Sequence, residues 1–259
     1  MRRRLLGLLG LAGAASAAPL SPAALDAVGV NPPPAARMPG GDYVDRFGRP
    51  VRLSPGGRPT LLLFVDYSCQ HLCGPGLTLT TGALHDAGLI PARDYDLVVI
   101  GMDGDGPAKA RAFAAERLAS LPDEARAARF LSGSPATVAA TEAALGYHAV
   151  YDPASDQWAH DAASFVFTPD GRLSRILPET AVVPVMMRGA VAAAARGDTL
   201  AGSSTLGRLV AVCYGFAAAH GLYGPVIATL LRLAGLLTVA GLGLFVWRLA
   251  RRRAKAMAA

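Results

Sequence analysis

The chain has little of what several protein classes require. Three cysteines in 259 residues exclude a disulfide-built scaffold, and they are one short of a four-cysteine zinc site. Charged residues make up 17% and aromatics 7% against 52% hydrophobic residues, which excludes a disordered or coiled-coil chain. No glycine-rich phosphate fingerprint follows the first strong apolar run, and no internal repeat recurs. Acidic residues are missing from both ends, since all 19 lie between Asp26 and Asp198. Three N-terminal arginines, Arg232 in an apolar run and five basic residues of the C-terminal tail account for nine of the 25, so the remaining 16 leave the rest of the chain at −3. The overall +6 is therefore a topology signal, and no nucleic-acid-binding surface is expected.

The two ends read as targeting and anchoring segments. Arg2, Arg3 and Arg4 precede a short apolar stretch and the small residues Ala15-x-Ala17, the order of a cleavable signal peptide over residues 1–18. Val226 to Trp247 is a 22-residue apolar run interrupted only by Arg232. As a helix it rises about 33 Å and spans a bilayer core. Arg232 lies near one interface, where its long side chain can snorkel. The basic tail of residues 248–259 is expected to remain cytoplasmic. This orientation puts the rest of the chain in the periplasm or outside, tethered to the bacterial cytoplasmic membrane by a single pass, in an oxidising compartment.

Between these ends, residues 19–59 read as a Pro- and Gly-rich entry linker with a short hairpin around Asp45 to Leu53. Residues 60–200 read as an α/β domain, and 201–225 as a membrane-proximal segment. Thr60 to Tyr67 and Asp96 to Met102 are apolar enough for buried central strands. Helices are expected at 72–87, 107–119, 135–145 and 182–195, the second opened by Pro107. A short strand at 128–131 and a late hairpin, 163–169 and 172–177 around Asp170-Gly171, complete a mixed sheet with flanking helices. A thioredoxin-like order fits better than an uninterrupted Rossmann sheet.

The chemistry concentrates in FVDYSCQHLCGPG. Cys69 and Cys73 follow the first central strand, and in a helical turn their i,i+4 spacing puts both sulfurs on one face. The amino end of a helix favours thiolates. Two thiolates are soft donors suited to Cu(I) and usable for zinc, but they need a further ligand. His160, just before the strand at Ala163, is the best candidate because it can approach the exposed end of a neighbouring strand. With an imidazole the site can hold Cu(I) or Cu(II). The same pair also reads as a structural disulfide or a redox dithiol. Among other residues, His71 at i+2 from Cys69 points elsewhere on a helix, Asp66 reads as a polar cap, and His148 as a sheet-side polar residue. His85 and His220 offer local polarity, Cys213 reads as a structural thiol, and Met38, Met186 and Met187 as core or surface residues.

From about residue 40 to 225 the chain resembles the Sco/SenC family of membrane-anchored, thioredoxin-like copper proteins. The marks are the strand before Cys69-x-x-x-Cys73, the segment GMDGDGPAKARAF, and His160 before a strand ending in PDG. The resemblance implies a copper site of Cys69, Cys73 and His160, with the family's loop acid falling on Asp103. It also implies delivery of copper to the binuclear copper centre of cytochrome c oxidase or another periplasmic copper protein, or thiol–disulfide action on such partners, with Cys69 and Cys73 as the redox pair. A non-catalytic exported interaction domain remains as a further reading. Where the family pattern has proline directly after each cysteine, this chain has Gln70 and Gly74, and its anchor is C-terminal where members carry an N-terminal helix.

Overall fold

The computed structural model describes residues 20–33, 35–69, 73–102, 104, 106–154, 156–178 and 182–200, together with 233, 235–239, 241 and 242. The chain divides into two units, Met1–Ser203 and Ser204–Ala259. In the first, α1 (Pro22–Asp26) and β1 (Gly29–Val30) lead into the hairpin of β2 (Gly41–Asp45) and β3 (Pro50–Leu53). Then follow β4 (Thr60–Val65), α2 (Cys73–Asp86), β5 (Asp96–Gly101), α3 (Pro107–Arg117), α4 (Pro122–Ala127) and β6 (Arg129–Ser132). The remainder is α5 (Pro135–Ala144), β7 (Tyr147–His148), β8 (Val150–Asp152), β9 (Gln157–Ala159), β10 (Ala163–Phe167), β11 (Leu173–Pro178) and α6 (Pro184–Ala195). Proline opens α1, α3, α4, α5 and α6; its fixed φ suits a first turn and its missing N–H is no loss there.

The central sheet runs β11-β10-β4-β5-β6-β2-β3. The strands β4, β5 and β6 are parallel and joined by helical crossovers, and the others pair antiparallel. The hairpin expected within the entry segment thus continues the main sheet, with Val44 opposite Ser132 and Asp45 opposite Leu131.

Because successive side chains on a strand point to opposite faces, the apolar run of β4 feeds two cores. Leu61, Leu63 and Val65 pack with Leu77, Phe113, Phe130 and Met187 on the face covered by α2, α3 and α6. Leu62 and Phe64 pack with Tyr43, Tyr147, Phe165 and Phe167 on the face that α5 supports. All six residues of β4 are buried, which explains why its sequence shows no polar alternation.

Glu142 on α5 is only partly buried, yet its Oε1 has no hydrogen-bond partner among the described residues. Burial pushes its carboxyl up from 4.5 to about 7. The folded protein therefore holds this proton more tightly than the unfolded chain does. The associated stability is complete below pH 4.5 and is lost as pH rises through about 7. Glu142→Gln is expected to flatten that decline and, after allowance for solvent screening, to stabilise the fold at pH 8 by about 1–2 kcal/mol. Urea unfolding at pH 5 and pH 8 checks it, and a wild-type midpoint indifferent to Glu142→Gln at both pH values contradicts it.

Among the described residues no helix is long and apolar enough to cross a membrane. Most of the candidate span at 226–247 lies outside them, as do the signal segment, residues 201–225 with Cys213 and His220, and the basic tail. The described members of the span are helical, and Leu233, Leu236, Leu237, Val239 and Leu242 are exposed.

Candidate functional site

Chain geometry at the carboxyl end of β4 decides how Cys69 is presented. Asp66, almost fully buried, turns the chain as it leaves the strand. Its Oδ1 accepts the Ser68 N–H at 2.7 Å, and its carbonyl accepts the Cys69 N–H at 3.1 Å. This is the capping role expected of Asp66. Tyr67 then folds inward against Phe113 and Phe130, with ring centroids 5.5 and 6.3 Å away. Its hydroxyl lies 3.0 Å from the carbonyls of both Val99 and Leu131, so one proton is shared between two acceptors across the sheet. Cys69 follows, buried in the same core.

Four positions later Cys73 begins α2, so Cys69 precedes the helix and the expected shared helical turn is not what presents it; of Cys73 itself only the backbone is described. On the other side of Cys69, Lys109 Nζ donates to Ser68 Oγ at 2.8 Å. Tyr67, Ser68 and Cys69 face α3 across a cavity of about 480 Å³, whose far side includes Lys109, Phe113 and Arg117. The cavity gives an approaching molecule access beside Cys69.

His160 reaches this end of the sheet by a different route. Antiparallel pairing sets Ser164 opposite Leu63, so the segment entering β10 runs beside the segment leaving β4. The small β8–β9 hairpin delivers His160 to that entry, and Tyr151 on it feels the charge of Asp66. The Tyr151 hydroxyl is held above its ordinary value chiefly by its hydrogen bond to Asp156, with Asp152 and Asp66 adding to the effect. The half-buried imidazole of His160 has its Nδ1 2.8 Å from Tyr147 Oη and 3.1 Å from the Asp161 carbonyl. Tyr147 in turn donates to that carbonyl at 2.8 Å and stacks on Phe64 of β4 at 4.6 Å. Burial raises the Asp161 carboxyl, and His160 opposes the rise.

Sheet pairing therefore gathers the Cys69 loop, the start of α2 and His160 at one sheet end. Among the described residues no three His, Cys, Asp or Glu side chains form a metal-holding group. Asp103 and His71 lie outside the described residues. His148 is exposed on β7, opposite Gly29, and His85 sits 3.2 Å from the buried Glu124. Met38 and Met187 are buried in opposite cores and Met186 is exposed, so the methionines make no common path. Sequence reasoning missed Tyr147 and Lys109. Tyr147 lies 13 residues before His160 in no recognisable motif, and Lys109 reads as an ordinary exposed helix position.

A mixed sheet with a two-cysteine segment after its first parallel strand, and helices on both faces, defines a thioredoxin-like α/β domain. Its structural neighbours include Sco/SenC proteins. BsSco, described with a disulfide switch as a member of the Sco family of cytochrome c oxidase assembly proteins, superposes at TM-score 0.50 and 20% identity, over 64% of this chain and 96% of that one. ScoI of Arabidopsis thaliana with copper bound gives 0.50 and 17%, over 62% and 99%. A SCO1/SenC family lipoprotein from Bacillus anthracis gives 0.50 and 16%, over 60% and 93%. No protein-family model and no curated protein matches the sequence.

Proposed function

We propose that the chain is a Sco/SenC-type copper protein of the cell exterior, in which Cys69, Cys73 and His160 bind copper and pass it on. The observation that carries this reading is the antiparallel pairing of β10 with β4, which supports a late imidazole meeting an early thiol loop. Two thiolates and a neutral imidazole form a donor set suited to copper. Copper is here the cargo. An incoming thiolate of a recipient displaces one protein donor at a time, so the ion is handed over without release into water. The recipient class is the binuclear copper centre of cytochrome c oxidase or another exported copper protein. Asp103 belongs to this reading as a loop residue near the site, and the apolar run at 226–247 as the single membrane anchor.

A second reading is favoured by the cavity beside Cys69 and by the disulfide switch described for BsSco. In it the domain is a thiol–disulfide oxidoreductase. A thiolate from Cys69 or Cys73 attacks a partner disulfide, forming a mixed disulfide and releasing one partner thiolate. The other cysteine then attacks the mixed bond, which leaves the partner reduced and the pair oxidised.

Anaerobic Cu(I) titration of the reduced full-length protein in detergent separates the two. The copper reading expects one tightly bound ion per chain, lost in Cys69→Ala and Cys73→Ala and strongly weakened in His160→Ala. Disulfide exchange that survives His160→Ala but not either cysteine variant, in a wild type that binds no copper, overturns it in favour of the redox reading.

A further inference from the structure

We infer that Tyr147 is a positioning residue: it fixes the proton of the neutral His160 imidazole on Nδ1 and so makes Nε2 the nitrogen offered to copper. The inference rests on the copper reading for its purpose, but its geometry stands apart from any metal. A neutral imidazole carries one N–H and one lone pair, and the partners of either nitrogen settle which is which. Two contacts of the described residues bear on Nδ1. The Asp161 carbonyl, 3.1 Å away, is an acceptor only and requires N–H on Nδ1. The Tyr147 hydroxyl, 2.8 Å away, spends its own proton on the same carbonyl at 2.8 Å and is left to accept from Nδ1. Both contacts ask for the same tautomer.

The tyrosine is itself held fast. Its ring stacks on Phe64 at 4.6 Å and 26°, and meets Phe165 edge-on at 6.0 Å. It is almost fully buried, so the hydroxyl stays where the core puts it. Phe64 belongs to the strand whose exit carries Cys69, and Phe165 to the strand whose entry carries His160. The imidazole is thereby oriented from the same two strands that bring the candidate ligands together. A ligating histidine whose other ring nitrogen donates to a fixed acceptor binds metal about 10–100-fold more tightly than one deprived of that partner.

The test is nitrogen NMR on reduced, metal-free, full-length protein labelled at its five histidines, with His160→Ala assigning the signal. Wild-type His160 is expected as the Nδ1–H tautomer. In Tyr147→Phe, which keeps the stacked ring, only the longer 3.1 Å contact to the Asp161 carbonyl is left to hold the proton on Nδ1, so part of the population moves to Nε2–H and Cu(I) affinity falls by about 10–100-fold. A wild-type imidazole protonated on Nε2 overturns the inference and needs no variant to be read. So does Tyr147→Phe with an unaltered tautomer, which assigns the role to the Asp161 carbonyl alone. If the wild type binds no copper while His160 remains Nδ1–H and responds to Tyr147→Phe, the copper reading fails and the positioning claim stands.

Discussion

Phe165→Ala is expected to lower the free energy of unfolding by about 3–5 kcal/mol, the range for deleting a buried aromatic ring. Phe165 is fully buried at the middle of β10, between Leu62 of β4 and Ile176 of β11. Its ring meets Phe64 at 6.1 Å, Tyr147 at 6.0 Å and Phe167 at 6.5 Å. Those neighbours are fixed on paired strands and cannot close the hole, so the void persists and its full penalty is felt. Urea unfolding measures the change, with the midpoint falling at constant slope. Phe165→Leu refills much of the space and should recover part of the loss. A change below about 1 kcal/mol would mean that the aromatic cluster is not assembled as described.

Gly101→Val is expected to disturb the thiol loop from the neighbouring strand β5, on the same face of the sheet. Gly101 ends β5 beside Val65, and a Cβ there would lie 2.5 Å from Cε2 and 2.7 Å from Cδ2 of Tyr67. The ring has nowhere to retreat, with Phe113 and Phe130 around it and its hydroxyl bridging two strand carbonyls. Overpacking of this kind typically destabilises by about 1–3 kcal/mol. Relief requires movement of residues 66–69, so Cys69, now only 8% exposed, should react faster with a thiol alkylating agent in the folded protein. Normal stability together with unchanged alkylation of Cys69 would refute the wedge.

How far the sequence could be read depended on the range of the interactions involved. The strands β4 and β5 and the helices after Pro107 and Pro135 were legible because burial on both faces and proline-opened turns leave local patterns. The strands β1, β7, β8 and β9 have two or three residues each, too few to show a period, and α4 is a short turn after Pro122. The β2–β3 hairpin was visible as a hairpin, but its pairing with β6 rests on two residue pairs far apart in sequence. Within the site, the cysteine spacing and the position of His160 before β10 could be read directly. The hold on that histidine could not, because Tyr147 acquires its role through Phe64, 83 positions earlier, and a backbone carbonyl has no sequence signature.

The alternation of side chains along β4 has a further consequence. Tyr67 and Cys69 are buried in the core under α2 and α3, whereas Phe64 and Tyr147, which carry the histidine, are buried in the other. The sulfur arm and the imidazole arm thus rest on separate foundations, with a layer of backbone between them. Substitutions that repack one core and leave β4 in place are therefore expected to act on the sulfur arm and the imidazole arm separately.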